Sequence, residues 1–430
     1  MNILIRNGRV MDPARLWEQV ADVAIADGRI VAIGTAPAGF VPAREIDATG
    51  CWVLPGLVDL AVRVGELGRA HEGMLASELA ACGAGGVTSL ACPPDTNPVL
   101  DEPGQVEMRT LRAAQCRQAR LFPVGALTLG LQGRALTEMT TLHRSGCVGF
   151  GQGNAALPNP RMLQRALQYA ATYGYTVWLH PQEPHLAQGV AASGALALRL
   201  GLAGIPVAAE TIALHSIFEL VRSTGARVHL CRLSSSAGVD LLRRAKAEGL
   251  PVSADVSINA LHLTETAIGH FDSSARLCPP LRQAHDRAAL SAALADGTID
   301  ALVSDHTPVE EDAKTLPFAQ AEPGASGVEL LLSLALQWSK EQKIPELNAF
   351  KTVTCAPAAI IGATSSFNES IGHLHVGALA DVCVVDAQAR WTVQAQSLRS
   401  QGKSTPFAGC QLPAKVRHTL VQGQVVFDGG

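Results

Sequence analysis

Apolar positions along the chain fall into three zones with different periods. In residues 1–54 they come in short runs interrupted by Asn7-Gly8 and Asp27-Gly28. Both dipeptides tolerate the positive φ angles of tight turns, so this zone reads as antiparallel strands joined by hairpins. The end of the chain repeats the signature. Residues 381–386 hold four apolar positions in a row between two aspartates, a buried-type strand, and Gln422-Gly423 separates two more runs at 419–421 and 424–427. Between these ends, eight short apolar runs alternate with longer stretches of helical period, near 57–64, 86–92, 120–126, 146–150, 176–180, 227–233, 251–256 and 299–304. Residues 239–248 and 328–338 are the clearest intervening helices. Eight strand-then-helix units predict a (β/α)8 TIM-type barrel over 55–374, with a small β-sandwich domain built from both termini, 1–54 plus 375–430. A doubly wound sheet is the competing α/β architecture, but no Gly-x-Gly-x-x-Gly turn follows an early strand, which weighs against dinucleotide binding.

Composition narrows the function. The 430 residues are 47% apolar and 17% charged, with a formal net charge of −4, so there is no electrostatic footprint for nucleic acid or an anionic membrane. No run reaches the length of a membrane span and the first fourteen residues lack a signal-peptide core, so a cytoplasmic protein is expected. Ten cysteines without a Cys-x-x-Cys pair read as reduced, mostly buried thiols. Thirteen histidines raise the question of metal chemistry, and their placement decides it.

In a barrel the chemistry gathers at the C-terminal ends of the strands. The first strand offers Ala61 and Arg63, which alternate onto one face. The second leads to Asp95 in a turn-rich segment, the fourth to Gln152-Gly153-Asn154, the fifth to His180, the sixth to Arg232, the seventh to Asn259 and the eighth to Asp305. A zinc site needs at least three protein ligands, and His180 with Asp305 falls short. Two guanidinium groups nearby would also repel the ion, at a cost of about 4 kcal/mol for two unit charges ~4 Å apart. His180 therefore reads as a hydrogen-bonded imidazole. Asp305 reads as an ion-pair partner with a lowered pKa and a guanidinium within roughly 4 Å. His373 and His375 sit in a Gly-flanked, linker-like stretch and are expected at the surface. Ser234-Ser235-Ser236 reads as a turn and helix cap, Arg243, Arg244 and Lys246 as a solvated helix face, and 309–326 as a mobile loop over the barrel mouth.

Several segments carry a family resemblance. Pro55-Gly56-Leu57-Val58-Asp59-Leu60, Gly85-Gly86-Val87-Thr88, Thr96-Asn97-Pro98-Val99-Leu100-Asp101, Ala203-Gly204-Ile205-Pro206, Ser304-Asp305-His306-Thr307-Pro308 and Gly377-Ala378-Leu379-Ala380-Asp381-Val382, in this order over nearly the whole chain, resemble dihydroorotases of the amidohydrolase superfamily. Active members carry a His-x-His pair on strand one, which this chain matches with Ala61 and Arg63. Their strand-four bridging residue is matched by the Gln152 region and their strand-six histidine by Arg232; the strand-five histidine is kept as His180 and the strand-eight aspartate as Asp305. The substrate-binding arginine, asparagine and histidine of the family are matched by Gly65, Asp95 and Val309. The chain is most similar to the non-catalytic dihydroorotase-like subunits of bacterial aspartate carbamoyltransferase. That resemblance implies a structural subunit whose partner is the transferase catalytic chain, with homo-oligomer contacts, no cofactor and a vestigial pocket of Ala61, Arg63, Asp95, Gln152, His180, Arg232, Asn259 and Asp305. The alternatives are an active amidohydrolase using one zinc on His180 and Asp305, and an arginine-lined mouth that binds an anionic metabolite.

Overall fold

The computed structural model describes residues 2–65, 74–157, 159–362 and 371–429. Eight parallel strands follow one another around a barrel: Leu57–Asp59, Val87–Cys92, Arg120–Ala126, Gly149–Gly151, Thr176–Leu179, Arg227–Leu230, Val252–Ser257 and Ala301–Val303. Each falls on one of the eight apolar runs. Every strand pairs in parallel with its successor, as the right-handed crossover helices between them require.

The first and eighth strands close the barrel through backbone alone. At the C-terminal end the His306 amide donates to the Ala61 carbonyl (2.9 Å) and the Arg63 amide to the His306 carbonyl (2.8 Å). At the other end Val58 donates to the Val353 carbonyl (2.9 Å) and Leu302 to the Thr352 carbonyl (3.0 Å), so the backbone at 352–353 stands between the two strands. Closure at the C-terminal end fixes Arg63 beside the eighth-strand residues.

Period-two alternation sorts the strand side chains between two cores. Val58, Ala91, Phe122, Val124, Trp178, Ala301 and Val303 point inward and fill the barrel. Leu57, Leu90, Leu121, Val177, Val228, Val256 and Leu302 point outward and pack under the helices. The helix Ser236–Ala247 shows how the outer layer is built. The Ser235 side chain caps it by accepting from the Gly238 amide, as the serine run suggested, and Val239, Leu242 and Ala245 form its buried stripe. On its outer side Arg243 pairs with Asp296 (3.0 Å) and Lys246 with Asp300 (2.7 Å), pairs that stitch a solvated face to the next unit. The helix predicted at 328–338 is one tight turn, Val328–Leu330, followed by Leu331–Gln342, with Trp338 donating to the Ser291 hydroxyl (2.9 Å).

Both chain ends enter a single eight-stranded sheet. Ile3–Asp12 pairs antiparallel with Trp17–Ala26 on one edge and runs parallel to Arg44–Asp47 and then to Cys51–Pro55 on the other. Val382–Thr392 continues the sheet from Cys51–Pro55 and is followed by Gln411–Val421 and Gln424–Asp428. Ile3, Ile5, Val23, Ile25, Val53, Val382, Val384 and Leu420 form its own core. The ion pair of Arg120 with Asp381 (3.0 Å), whose carboxylate also accepts from the Gln422 amide (2.8 Å), ties the sheet to the third barrel strand.

Four expectations need correction. Asp27-Gly28 and Gln422-Gly423 are two-residue hairpin turns with both residues at positive φ. Asn7-Gly8, in contrast, lies inside the strand Ile3–Asp12 as a register shift. Here the glycine is required by close packing, since a Cβ at Gly8 would stand 2.3 Å from the Val53 methyl. Second, 309–326 is not a free loop. It contains the helix Glu311–Thr315 and buries Val309, Phe318, Ala321 and Ala325, with Phe318 and Ala325 packed in a cluster with Ala191, Ala197 and Ile268. Third, His373 and His375 are half-buried rather than exposed. The fourth correction concerns the charge of Asp305 and belongs with the site. Among the described residues, no helix is long and apolar enough to cross a membrane.

Candidate functional site

At the C-terminal mouth of the barrel, two arginines and two aspartates interlock. Arg232 donates from Nη1 to Asp305 Oδ1 (3.2 Å) and to the Cys278 carbonyl (3.0 Å), and from Nη2 to Asn154 Oδ1 (2.6 Å). Arg63 donates from Nη2 to Asp95 Oδ2 (3.0 Å) and from Nη1 to Thr307 Oγ1 (3.2 Å), with Asp305 Oδ1 at 3.9 Å. Asp95 Oδ2 also accepts from the Asn154 amide (3.0 Å). The quartet therefore joins the ends of strands one, six and eight to the loops that follow strands two, four and seven.

Local backbone geometry aims these groups. Arg232 and Asp305 each adopt a left-handed conformation, with φ of 57° and 51°, where the chain turns off the strand. Such angles are costly for side chains of this kind and persist only where surrounding contacts hold them. Asp255 supplies one such contact by accepting from the Arg232 amide (2.7 Å). Gly153 has φ +58°, and a Cβ there would stand 2.4 Å from Asp95 Cγ. Only glycine lets the fourth-strand loop close on the aspartate.

Two positive and two negative groups make the mouth neutral within itself. Asp95, expected in the pocket from the family resemblance, joins Asp305 there as a second carboxylate by pairing with Arg63. Asp305 is 6% exposed, and burial raises its pKa more than Arg232 and Arg63 lower it, so the expected downward shift is reversed. Its desolvation in the barrel outweighs two guanidiniums whose charge is shared with other acceptors. Asp95 is held below the usual carboxylate range: burial works against this, but Arg63, the Asn154 amide and Arg232 together prevail.

His180 accounts for only half of its bonding capacity. Its Nδ1 lies 3.2 Å from the Cys231 carbonyl, which makes that nitrogen the donor, whereas Nε2 is buried without a hydrogen-bond partner. Burial, reinforced by Arg232 and Arg63, pushes its pKa down to about 3, even with the Gln182 side chain close enough to act in the other direction. The ring is neutral at physiological pH and presents a lone pair at Nε2.

The remaining predicted residues divide. Ala61, Arg63, His180 and Arg232 line one small cavity of about 30 Å³. Gln152 turns aside, accepting from Thr128 Oγ1 (3.1 Å) and donating to the Leu131 carbonyl (2.8 Å). Asn259 is buried in the short helix Ile258–His262 and does not line that cavity. Sequence reasoning placed Asn154 at the end of strand four but gave it no role, and it missed Thr307 and the Cys278 carbonyl. It also missed a layer beneath the mouth: His229 Nε2 bonds Asp255 Oδ2 (2.8 Å) and Nδ1 bonds the Ser253 hydroxyl (2.9 Å). Alternation places His229, Cys231, Ser253 and Asp255 on the inward face, a signal that was present in the sequence. His229, Cys231 and Asp255 have potential ligand atoms within 4.8 Å of one another. The histidine and the aspartate already satisfy each other, and burial, followed by the charge of Asp255, keeps the thiol strongly protonated.

A closed parallel barrel with polar groups gathered at its C-terminal mouth, joined to a sheet made from both termini, is the architecture of amidohydrolases. The family model described as dihydro-orotase-like matches residues 50–237 and that of the amidohydrolase family matches 195–426. The chain is 44% identical to a dihydroorotase-like protein of Pseudomonas putida, over 99% of each. It is 37% identical to a dihydroorotase of a Geobacter species over the full length of both. The chain belongs to the dihydroorotase family of the amidohydrolase superfamily. Among solved structures, the L-hydantoinase of Arthrobacter aurescens superimposes with a TM-score of 0.88 at 24% identity, covering 100% of this chain and 96% of that one, a likeness of fold.

The zinc that the family resemblance implies does not fit the residues at these positions. Ala61 offers no ligand atom, Arg63 and Arg232 offer cations, and the oxygen of Asp305 nearest them is engaged by Arg232. Among the described residues at these positions, His180 Nε2 is the one imidazole nitrogen without a partner, and one such ligand does not hold a divalent ion.

Proposed function

We propose that this chain is a catalytically inactive dihydroorotase homologue that serves as a structural subunit of an aspartate carbamoyltransferase complex in pyrimidine biosynthesis. The observation that carries the reading is the pairing of Arg232 with Asp305 at 3.2 Å. In this family's barrel the strand-eight carboxylate is the group expected to act on the reacting water or substrate. Here a guanidinium bonds to it, and the Lewis acid that would polarise a cyclic amide has lost its ligands. A barrel altered in this way keeps its outer surfaces, which depend on helix packing and not on the mouth. The partner is the catalytic chain of the transferase, together with further copies of this chain, and no cofactor is needed.

Co-expression with an aspartate carbamoyltransferase catalytic chain, followed by size-exclusion chromatography, tests the assembly. A shared early-eluting peak is expected, and two separate peaks at every concentration would refute it. The second reading, an active amidohydrolase with one zinc on His180 and Asp305, is favoured by the open Nε2 of His180. Metal content measured alongside turnover of dihydroorotate decides between them: stoichiometric zinc with turnover establishes the enzyme, and absence of both establishes the inactive subunit.

A further inference from the structure

Strands six and seven assemble a second polar group inside the barrel, and it opens at the end opposite the mouth. His229 and Ser253 are register partners on these neighbouring parallel strands, and Asp255 follows Ser253 two residues on, so all three share the inward face. The His229 ring spans the other two: Nε2 lies 2.8 Å from Asp255 Oδ2, and Nδ1 lies 2.9 Å from Ser253 Oγ. A carboxylate only accepts, so Nε2 carries the ring hydrogen and Nδ1 presents a lone pair to which the Ser253 hydroxyl donates. The geometry is held from both sides. The other oxygen of Asp255 accepts from the Arg232 amide (2.7 Å), and the His229 ring packs edge-on against Trp178 with centroids 4.7 Å apart. Hydroxyl, imidazole and carboxylate thus form one directed chain, the arrangement that activates a serine as a nucleophile.

The base and the carboxylate are buried, whereas Ser253 is partly exposed and lines a cavity of about 730 Å³. Thr176 and Arg227, the first residues of strands five and six, line it too, which places the cavity at the N-terminal face of the barrel. None of Arg63, His180, Arg232 and Asp305 takes part in it. Leu250, Leu294 and Ile360 give it an apolar wall, and Asn348 and Lys351 bring side-chain N–H donors to the same space. We propose that Ser253 is a nucleophile for acyl transfer, with His229 as its base and Asp255 as the positioning residue, acting on small carboxylic esters with a short apolar acyl chain. Oγ attacks the ester carbonyl carbon as its proton passes to His229 Nδ1. The bond from that carbon to the alcohol oxygen then breaks, and the departing alkoxide takes the proton from Nδ1, leaving the acyl group on Oγ. Water completes the cycle: it gives one proton to Nδ1 and its oxygen to the acyl carbon, and Ser253 recovers the proton as the carboxylic acid leaves. This chemistry needs no metal and is separate from the dihydroorotase site and from any assembly with a transferase.

Two acylation readouts on the full chain test this. With p-nitrophenyl butyrate, stopped-flow absorbance should show a burst approaching one p-nitrophenol per chain before a slower steady rate. The acetate ester should acylate about tenfold more slowly, because two fewer methylenes meet the apolar wall. A fluorophosphonate probe, mapped by peptide mass spectrometry, should leave a single adduct on Ser253 in the folded protein and none on guanidinium-denatured protein. Ser253→Ala should lose both burst and adduct, and His229→Gln should slow labelling at least about 100-fold, each in protein whose circular dichroism matches the parent. Asp255→Asn should lower kcat at unchanged KM, because its amide can donate to Nε2 and turn the ring hydrogen onto Nδ1. The position of the adduct in the unaltered protein decides the matter even if a variant fails to fold. EDTA should leave the burst unchanged. No adduct, an adduct only at other residues, equal labelling of folded and denatured chains, or a burst that survives Ser253→Ala or vanishes on chelation overturns the proposal.

Discussion

Replacing Arg232 by methionine removes a guanidinium of similar length and leaves its partners in place. Three hydrogen bonds disappear, to Asp305, the Cys278 carbonyl and Asn154. Asp305 keeps only Arg63, at 3.9 Å, while remaining 6% exposed. Breaking a buried ion pair from one side costs about 3–5 kcal/mol, because the surviving charge is stranded. Unfolding entropy of about 2.1 cal/mol/K per residue over the 430 residues gives roughly 0.9 kcal/mol/K, so the loss corresponds to a Tm drop of roughly 3–6 °C. Differential scanning calorimetry at pH 7.5 reads that shift. The double variant Arg232→Met/Asp305→Leu replaces both charges by apolar groups and should recover most of the loss. The pH dependence has a defined sign. Asp305 already has a raised folded-state pKa, and without Arg232, the largest influence lowering it, the shift grows. The native state then binds a proton more readily than the unfolded chain, so the deficit of Arg232→Met should shrink as pH falls from neutral toward the ordinary carboxyl range. A single variant within about 1 kcal/mol of the parent, or a double variant no better than the single, refutes the idea that the quartet holds the mouth together.

Other perturbations probe the remaining parts. Burial raises the pKa of Asp59 to about 6 although Oδ1 accepts from the Ala61 and Ser304 amides. Stability should therefore fall by about 2 kcal/mol as pH rises from 4 to 7, and Asp59→Asn should flatten that slope in a Tm-versus-pH series. Gly153→Ala forces a Cβ toward Asp95 at positive φ, and should lower stability by about 1–3 kcal/mol in denaturant titrations. The triple variant Ala61→His/Arg63→His/Arg232→His adds three imidazoles to His180 and Asp305. It should take up zinc detectable by elemental analysis, while the parent under the same loading should not. Equal zinc in both proteins would place the metal somewhere other than the mouth.

How much of this was legible beforehand depends on the range of the interaction. Strand positions, the Ser235 cap and the hairpins at Asp27-Gly28 and Gln422-Gly423 are set by neighbours along the chain, and each was visible as a pattern. Asn7-Gly8 has the same composition as a hairpin turn but sits in a strand, because what decides its role is the Val53 side chain from another strand. The segment 309–326 carries polar residues typical of a loop, yet four of its apolar side chains are buried, and Phe318 and Ala325 pack with Ala191, Ala197 and Ile268 from much earlier in the chain.

The candidate site divides along the same line. Sequence alone determined the barrel, the family, and the fact that Ala61, Arg63 and Arg232 stand where metal-binding histidines would be, since those follow from local period and motif order. Tertiary structure alone decided that Asp95 pairs with Arg63, that Asn154 and the Cys278 carbonyl complete the grip on Arg232, and that Gln152 turns away toward Thr128 and Leu131. Residue identity fixes what charge a side chain carries; burial and the partners brought from distant strands fix whether that charge is already neutralised. For that reason the sign of the Asp305 shift and the open nitrogen of His180 emerge only when the eight strands close.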